Sequence, residues 1–186
     1  MQTIADDILI ASIAKGDRSA MATLFARYRV PVYRFLLRMV RNEATAEELN
    51  GDVFLEVWRH AATFEGRSAV STWIFSIARF KALSALQRRR EEELDEGEAG
   101  TIEDKADDPE IALAKKDKAA VLRQCLEKLS AEHREIVNLV YYQHKSVEQI
   151  AGIIGIPVAT VKTRMFYARK KLSDLLRKQG IDRGWP

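Results

Sequence analysis

Between Ser146 and Ser173 the sequence holds the residues best suited to act on another molecule. Lys162, Thr163, Phe166 and Tyr167 fall at i, i+1, i+4 and i+5, so a helix through them shows all four on one face. Their chemistry is recognition. An ammonium and a hydroxyl can hydrogen-bond base edges, and two aromatic rings can meet thymine methyls or stack, on an element narrow enough for a major groove. Arg164, Arg169, Lys170 and Lys171 flank this face with cations suited to phosphate oxygens.

The residues just before this face supply a way to position it. Ser146 and Gln149 make a capping box at a helix start, and Val147, Ile150, Ala151 and Ile154 form that helix's apolar stripe. Gly155-Ile156-Pro157 then breaks the helix, and a second begins near Val158. Ala151, Gly155 and Val161 have the spacing of a helix-turn-helix: a small residue at the crossing, a glycine free to adopt the left-handed turn, and an apolar anchor. The alternative is an ordinary helical hairpin whose outer face happens to be basic.

The distribution of charge says more than the net +3. Residues 1–90 hold 14 Lys/Arg against 9 Asp/Glu, residues 91–110 hold 1 against 11, and residues 111–186 hold 15 against 7. No acid occurs from Gly66 to Arg90 or from Gln149 to Ser173. Acid-free basic stretches suit a polyanion, and a solvated basic surface is the plainer reading. An enzyme reading finds little support. His60, His133 and His144 are scattered, no Cys/His cluster has metal-ligand spacing, and no glycine-rich phosphate loop occurs. Cys125, the single cysteine, lies between Leu122 and Leu126 and reads as a buried residue, with a reactive thiol as the alternative. No run approaches the roughly 20 apolar residues of a membrane span. Asp6 and Asp7 stand where a secretory signal would be basic, so a cytoplasmic chain is expected.

The rest of the chain reads as helical, and nothing reads as a strand. Ile8, Ile10 and Ile13 form a short apolar face ending at Gly16-Asp17. Ser19 can cap a second helix with the face Leu24, Tyr28, Val32, Phe35, Leu36 and Met39, which Pro31 should kink or split. Thr45, with Glu48 as its partner, opens a third helix lined by Leu49, Val53, Phe54, Val57 and Trp58. A loop from about Thr63 to Val70 leads to a fourth helix over roughly 71–90, with Trp73, Ile74, Ile77, Ala78 and Leu83 inward. After an acidic stretch, Leu122, Leu126 and Leu129 form a face, and Ser130 caps a helix burying Ile136, Leu139 and Val140. The expected fold is all-α: two small helical domains, 1–90 and 119–178, joined by a flexible acidic linker at 91–118, with a short tail at 179–186. The linker's acidity serves solubility or mimics DNA.

Leu126-Glu-Lys-Leu-Ser-Ala-Glu-His-Arg134, Ile150-Ala-Gly-Ile-Ile-Gly-Ile-Pro157, Thr160-Val-Lys-Thr-Arg164 and Ala168-Arg-Lys-Lys-Leu172 together resemble region 4 of RNA polymerase sigma factors. Gly16-Asp17, Ala46-Glu-Glu-Leu49, Asp52-Val-Phe54, Trp58-Arg59, Trp73-Ile74, Ile77-Ala-Arg79 and Arg88-Arg-Arg90 resemble region 2, in order. With nothing between the halves but the linker, the chain is similar to the extracytoplasmic-function (ECF) group of the sigma-70 family.

The resemblance implies a promoter-reading subunit with no enzymatic activity, no cofactor and no metal, monomeric when free. Its implied partners are core RNA polymerase, through the β′ clamp helices and the β flap, promoter DNA and an anti-sigma factor. It assigns core binding to Glu47, Glu48, Asp52 and Glu56, whose plainer reading is a solvated acidic face. It assigns −10 element binding to Phe64, Glu65, Arg67, Ser68, Ser71, Arg79, Arg88, Arg89 and Arg90, the loop capturing a flipped base and the arginines holding phosphates. It assigns −35 binding to Thr160, Lys162, Thr163, Arg164, Phe166, Tyr167, Arg169 and Lys170. Asn50, Gly51, Phe80, Ser84, Ser130, Ala159 and Tyr167 depart from the family's usual residues. Two rival readings are a sigma-like decoy that binds an anti-sigma factor, and a helix-turn-helix repressor with a helical sensor domain.

Overall fold

Apolar residues at helical spacing, together with a supply of capping side chains, make this chain a succession of helices. The computed structural model describes residues 4–95 and 113–181. Among them are eight α-helices and no strand: α1 (Asp6–Ile13), α2 (Arg18–Val40), α3 (Glu43–His60), α4 (Val70–Asp95), α5 (Leu113–Glu127), α6 (Ala131–Val137), α7 (Val147–Ile154) and α8 (Val158–Lys178). A 3₁₀ turn follows α3 at Ala61–Thr63, and a π-helical turn follows α6 at Asn138–Tyr142. The described residues form two compact units, one of α1–α4 with residues 148–155, the other of the remaining C-terminal helices.

In the first unit, α2, α3 and α4 pack on one another and α1 closes against α2. Leu24, Val32, Phe35, Leu36, Val53, Val57, Ile74 and Phe75 lie fully inside, and the Phe35 and Phe75 rings meet edge to face at 5.3 Å. The buried face of α1 is Leu9, Ile10 and Ile13, not the expected set. Positions 9, 10 and 13 share a helical face, which turns Ile8 outward. On α4 the core positions are Ile74, Phe75, Ala78 and Ala82, and Leu83, expected inside, is exposed for the same geometric reason.

Two helix starts differ from expectation. α2 is capped by Asp17, whose carboxylate accepts from the Ser19 and Ala20 amides at 2.8 and 3.0 Å. α3 is capped by Asn42, which accepts from the Thr45 amide at 2.8 Å. In each case a side chain two or three residues upstream of the expected cap reaches the free amides first, and at Asp17 a negative charge also complements the helix dipole. α2 runs unbroken through Pro31. Proline removes one backbone donor and crowds the preceding turn. The buried side chains on both sides, Leu24 before it and Val32, Phe35 and Leu36 after, hold the helix through it.

Both ends of the stretch expected to be a linker are helical. α4 continues to Asp95, where Gln87 donates to Glu91 at 3.0 Å and Arg88 pairs with Glu92 across one turn. These i,i+4 pairs extend the helix past the arginines. α5 starts at Leu113, and residues 96–112 lie outside the described residues.

In the second unit, Cys125, Leu129, Val137, Ala168, Leu172 and Leu176 form the core, with α8 packed on α5 and α6. Ser130 caps α6 as expected, accepting from the His133 amide at 3.3 Å. Cys125 is buried there, in keeping with a packing role.

Candidate polymerase and promoter interfaces

Three groups of side chains carry the functional reading. The first is the carboxylate set on α3. Glu47 and Glu48 are exposed on the first turns of the helix, and Asp52 and Glu56 follow one and two turns after Glu48. The structure divides this set. Glu56 accepts a hydrogen bond from Lys81 Nζ of α4 at 3.1 Å and lies within 3.1 Å of His60 Nε2 and 3.7 Å of Arg59. Lys81 also reaches Asp52 at 3.8 Å. The Lys81 hydrogen bond, chief among these contacts, holds the Glu56 carboxyl below its ordinary range. Asp52 and Glu56 are therefore partly neutralised from within, and the outward negative charge is concentrated at Glu47 and Glu48. Lys81 was not among the expected site residues. Its 25-residue separation from Glu56 in sequence gives no local sign of the pairing.

The second group surrounds the loop from Phe64 into α4. Gly66 turns the loop in the left-handed conformation, φ 69°, where a side chain would be strained. On either side of it Glu65 and Arg67 form an ion pair. The Phe64 ring lies 4.8 Å from Trp73, tilted by 35°, so the two aromatic side chains pack on each other at the loop's base. Ser68 is exposed, and Ser71, half-buried at the start of α4, is hydrogen-bonded to Tyr28. Tyr28 in turn donates to Asp6, which also pairs with Arg27. Burial, and next its bond to Asp6, push the Tyr28 phenol far above its ordinary value, so it stays a protonated donor. The network Asp6–Tyr28–Ser71, absent from the sequence expectation, ties the N-terminal helix to the start of α4. Further along α4, Arg79 is half-buried and Arg88, Arg89 and Arg90 are exposed.

The third group lies on the helix-turn-helix segment. Gly155 ends α7 at φ 77°, its amide donating to Ala151 at 2.9 Å, and Pro157 leads into α8. Ile150, Ile153, Ile154 and Val161 are buried; Val147 and Ala151, expected in the stripe, are half-buried, and Ile153 stands in their place. Lys162, Thr163, Phe166 and Tyr167 are all exposed on α8, Phe166 at 63% and Tyr167 at 54%. The two rings meet edge to face at 5.4 Å and make one aromatic surface. Thr160 is half-buried beside them, and the Thr163 hydroxyl donates back to Ala159 at 3.0 Å. The flanking cations differ among themselves. Arg164 pairs with Glu132 of α6 at 3.2 Å, and Arg169 donates to the Tyr141 hydroxyl at 2.9 Å with its guanidinium 5.9 Å from that ring. Lys170 and Lys171 are exposed.

Comparison with known proteins identifies the family. The family model for Sigma-70 region 2 matches residues 24–92, and that for Sigma-70 region 4 matches residues 119–172. The ECF RNA polymerase sigma factor SigK of Mycolicibacterium vanbaalenii is 30% identical over 165 residues, which cover 86% of this chain and 83% of that protein. The chain belongs to the ECF sigma factors of the sigma-70 family. This sigma factor is thus a transcription initiation factor and not an enzyme. It is also similar to SigW of Bacillus subtilis, at 29% identity with 90% of this chain and 95% of that one covered. Among solved structures it resembles the sigma factor RpoE of Bartonella quintana, crystallised with the anti-sigma factor NepR, with a TM-score of 0.73 and 27% identity over 87% of this chain and 98% of that one. No helix among the described residues is long and apolar enough to cross a membrane.

Proposed function

We propose that this sigma factor docks on the β′ clamp helices of core RNA polymerase through Glu47, Glu48, Asp52 and Glu56, engages the β flap, and reads two promoter elements. Phe64, Glu65, Arg67, Ser68 and Ser71 take a base of the −10 element, while Arg79, Arg88, Arg89 and Arg90 hold phosphates beside it. Thr160, Lys162, Thr163, Phe166 and Tyr167 meet the −35 element, with Arg164, Arg169 and Lys170 on its backbone. The domains are 1–90 and 119–178, the free protein is monomeric and cytoplasmic, and an anti-sigma factor controls it; the similar RpoE of Bartonella quintana was crystallised in complex with the anti-sigma factor NepR.

The observation that carries this reading is the exposed face of α8. An aromatic pair and a lysine lie outermost, with cations on both sides. A solvated helix gains nothing from two exposed rings, whereas a helix entering a major groove gains apolar contact with thymine methyls and cationic contact with phosphates. The test is run-off transcription with core polymerase on a library of genomic fragments. Discrete starts that require both the chain and core enzyme support the proposal. Tight operator binding without polymerase would favour a repressor, and binding of an anti-sigma factor with no transcription would favour a decoy.

A further inference from the structure

A chain of hydrogen bonds that starts on α1 ends on a residue assigned to base capture. Arg27 pairs with one oxygen of the Asp6 carboxylate and also donates to the Ile4 carbonyl at 2.9 Å, while Tyr28 donates to the other Asp6 oxygen. Tyr28 is hydrogen-bonded in turn to Ser71, in the first turn of α4. α1 also packs on the 3₁₀ turn before the Phe64 loop and on α4 after it. Both ends of the loop therefore rest on the helix that carries Asp6.

Counting protons gives this chain a direction. A carboxylate only accepts and a guanidinium only donates, while each hydroxyl has a single proton to give. The Tyr28 proton goes to Asp6, and burial keeps it on the phenol. The Tyr28 oxygen is then left to accept from Ser71, which commits the one Ser71 proton as well. What Ser71 retains is a lone pair, on a half-buried side chain that is partly open to solvent. No hydroxyl in the chain can turn round without setting two oxygens against each other with no proton between them.

Resting on the base capture proposed above, we propose that Asp6 and Tyr28 set the specificity of that capture without touching DNA: they hold Ser71 as a hydrogen-bond acceptor, so the captured −10 base is one with an amino group, adenine or cytosine. Adenine N6 and cytosine N4 are donors where guanine O6 and thymine O4 are acceptors. A keto base would bring its oxygen against the Ser71 lone pair and leave both unsatisfied. Asp6 and Tyr28 are positioning residues; of the three, only Ser71 meets the base.

The test is transcription by holoenzyme from templates with a randomised −10 element, read at each position as the ratio of amino bases to keto bases. The captured position is the one whose ratio Ser71→Ala changes. There wild type should favour amino bases by about 2- to 12-fold, the net worth of one hydrogen bond. Ser71→Thr, which keeps the hydroxyl, should do the same. Tyr28→Phe frees the Ser71 proton, so the ratio should fall to about one. Asp6→Asn should reverse the ratio. Arg27 takes the amide oxygen, the amide nitrogen donates to Tyr28, and the phenol proton turns to Ser71, whose own proton then points at the base. If these residues only braced α1, both variants would lower all four bases alike, and an unchanged ratio in Tyr28→Phe would overturn the proposal. So would a wild-type preference for keto bases, or a position whose ratio responds to Arg67→Ala and not to Ser71→Ala. If no position responds to Phe64→Ala, Glu65→Ala, Arg67→Ala or Ser71→Ala, base capture by this loop is itself overturned.

Discussion

Lys81 Nζ lies 3.1 Å from Glu56 Oε1 and 3.8 Å from Asp52 Oδ2, so one cation on α4 is shared by two carboxylates of α3. This bridge joins the helix assigned to polymerase to the helix assigned to the −10 element, and it has a pH signature. Glu56 is held below the ordinary carboxylate range chiefly by the Lys81 hydrogen bond. A depressed carboxylate contributes stability above its unfolded pKa and loses it as the pH falls through the folded one. Glu56→Gln should therefore lower the urea midpoint at pH 7. The difference from wild type should begin to shrink as the pH falls below the ordinary glutamate value of about 4.3 and vanish only below the depressed folded one. Urea unfolding across that range measures it.

The same bridge separates two kinds of charge reversal on α3. Glu47→Lys with Glu48→Lys changes exposed groups, so co-purification with β′ should be lost with helical content and unfolding midpoint unchanged. Asp52→Lys with Glu56→Lys should also lose β′, and in addition destabilise the fold, because two new cations then face Lys81. Pull-down and circular dichroism on both pairs distinguish docking from folding.

Gly51 lies mid-helix on α3 and is exposed, and a Cβ built there meets nothing within 4 Å. Gly51→Ala should raise stability by about 0.5–1 kcal/mol by removing unfolded-state freedom at no steric cost. An unchanged or lowered unfolding midpoint would mean that this turn of α3 is not a free helical surface.

Leu172 of α8 is fully buried among Cys125, Leu129 and Val137. Leu172→Ala should cost the C-terminal unit about 2–5 kcal/mol. All −35 sequences should weaken together, because the helix is loosened and none of its reading residues is altered. Thermal unfolding and promoter ranking of this variant check both halves of that expectation.

Much of this was legible in the sequence because it is local. Lys162, Thr163, Phe166 and Tyr167 share an exposed face, and Gly155 is left-handed, because helical periodicity and a glycine's conformational range act within a few residues. Where two nearby side chains competed for one role, the sequence was ambiguous. Asp17 and Asn42 cap the helices for which Ser19 and Thr45 were expected, and Leu9 took the place of Ile8 in the core. Pairings across long separations were not legible. Glu56 with Lys81, Arg164 with Glu132, Arg169 with Tyr141, and Asp6 with Tyr28 are made by tertiary packing, which no spacing rule encodes. These pairings sort the expected cations and carboxylates into those already engaged and those facing outward.

The central claim is that α8 reads promoter sequence, and the most direct measurement is transcription by holoenzyme from a library with a randomised −35 element. Wild type should select a defined set of −35 sequences. Lys162→Ala and Tyr167→Ala should change which sequences are selected, each at one position, because a lost base contact costs about 1–3 kcal/mol at that base alone. Tyr167→Arg should move the preference toward guanine. Lys170→Ala and Lys171→Ala should lower every sequence alike and flatten the salt dependence, because phosphate contacts carry no sequence. The contrary result is one −35 ranking shared by wild type, the Lys162 variant and both Tyr167 variants, which would mean that α8 does not read the promoter.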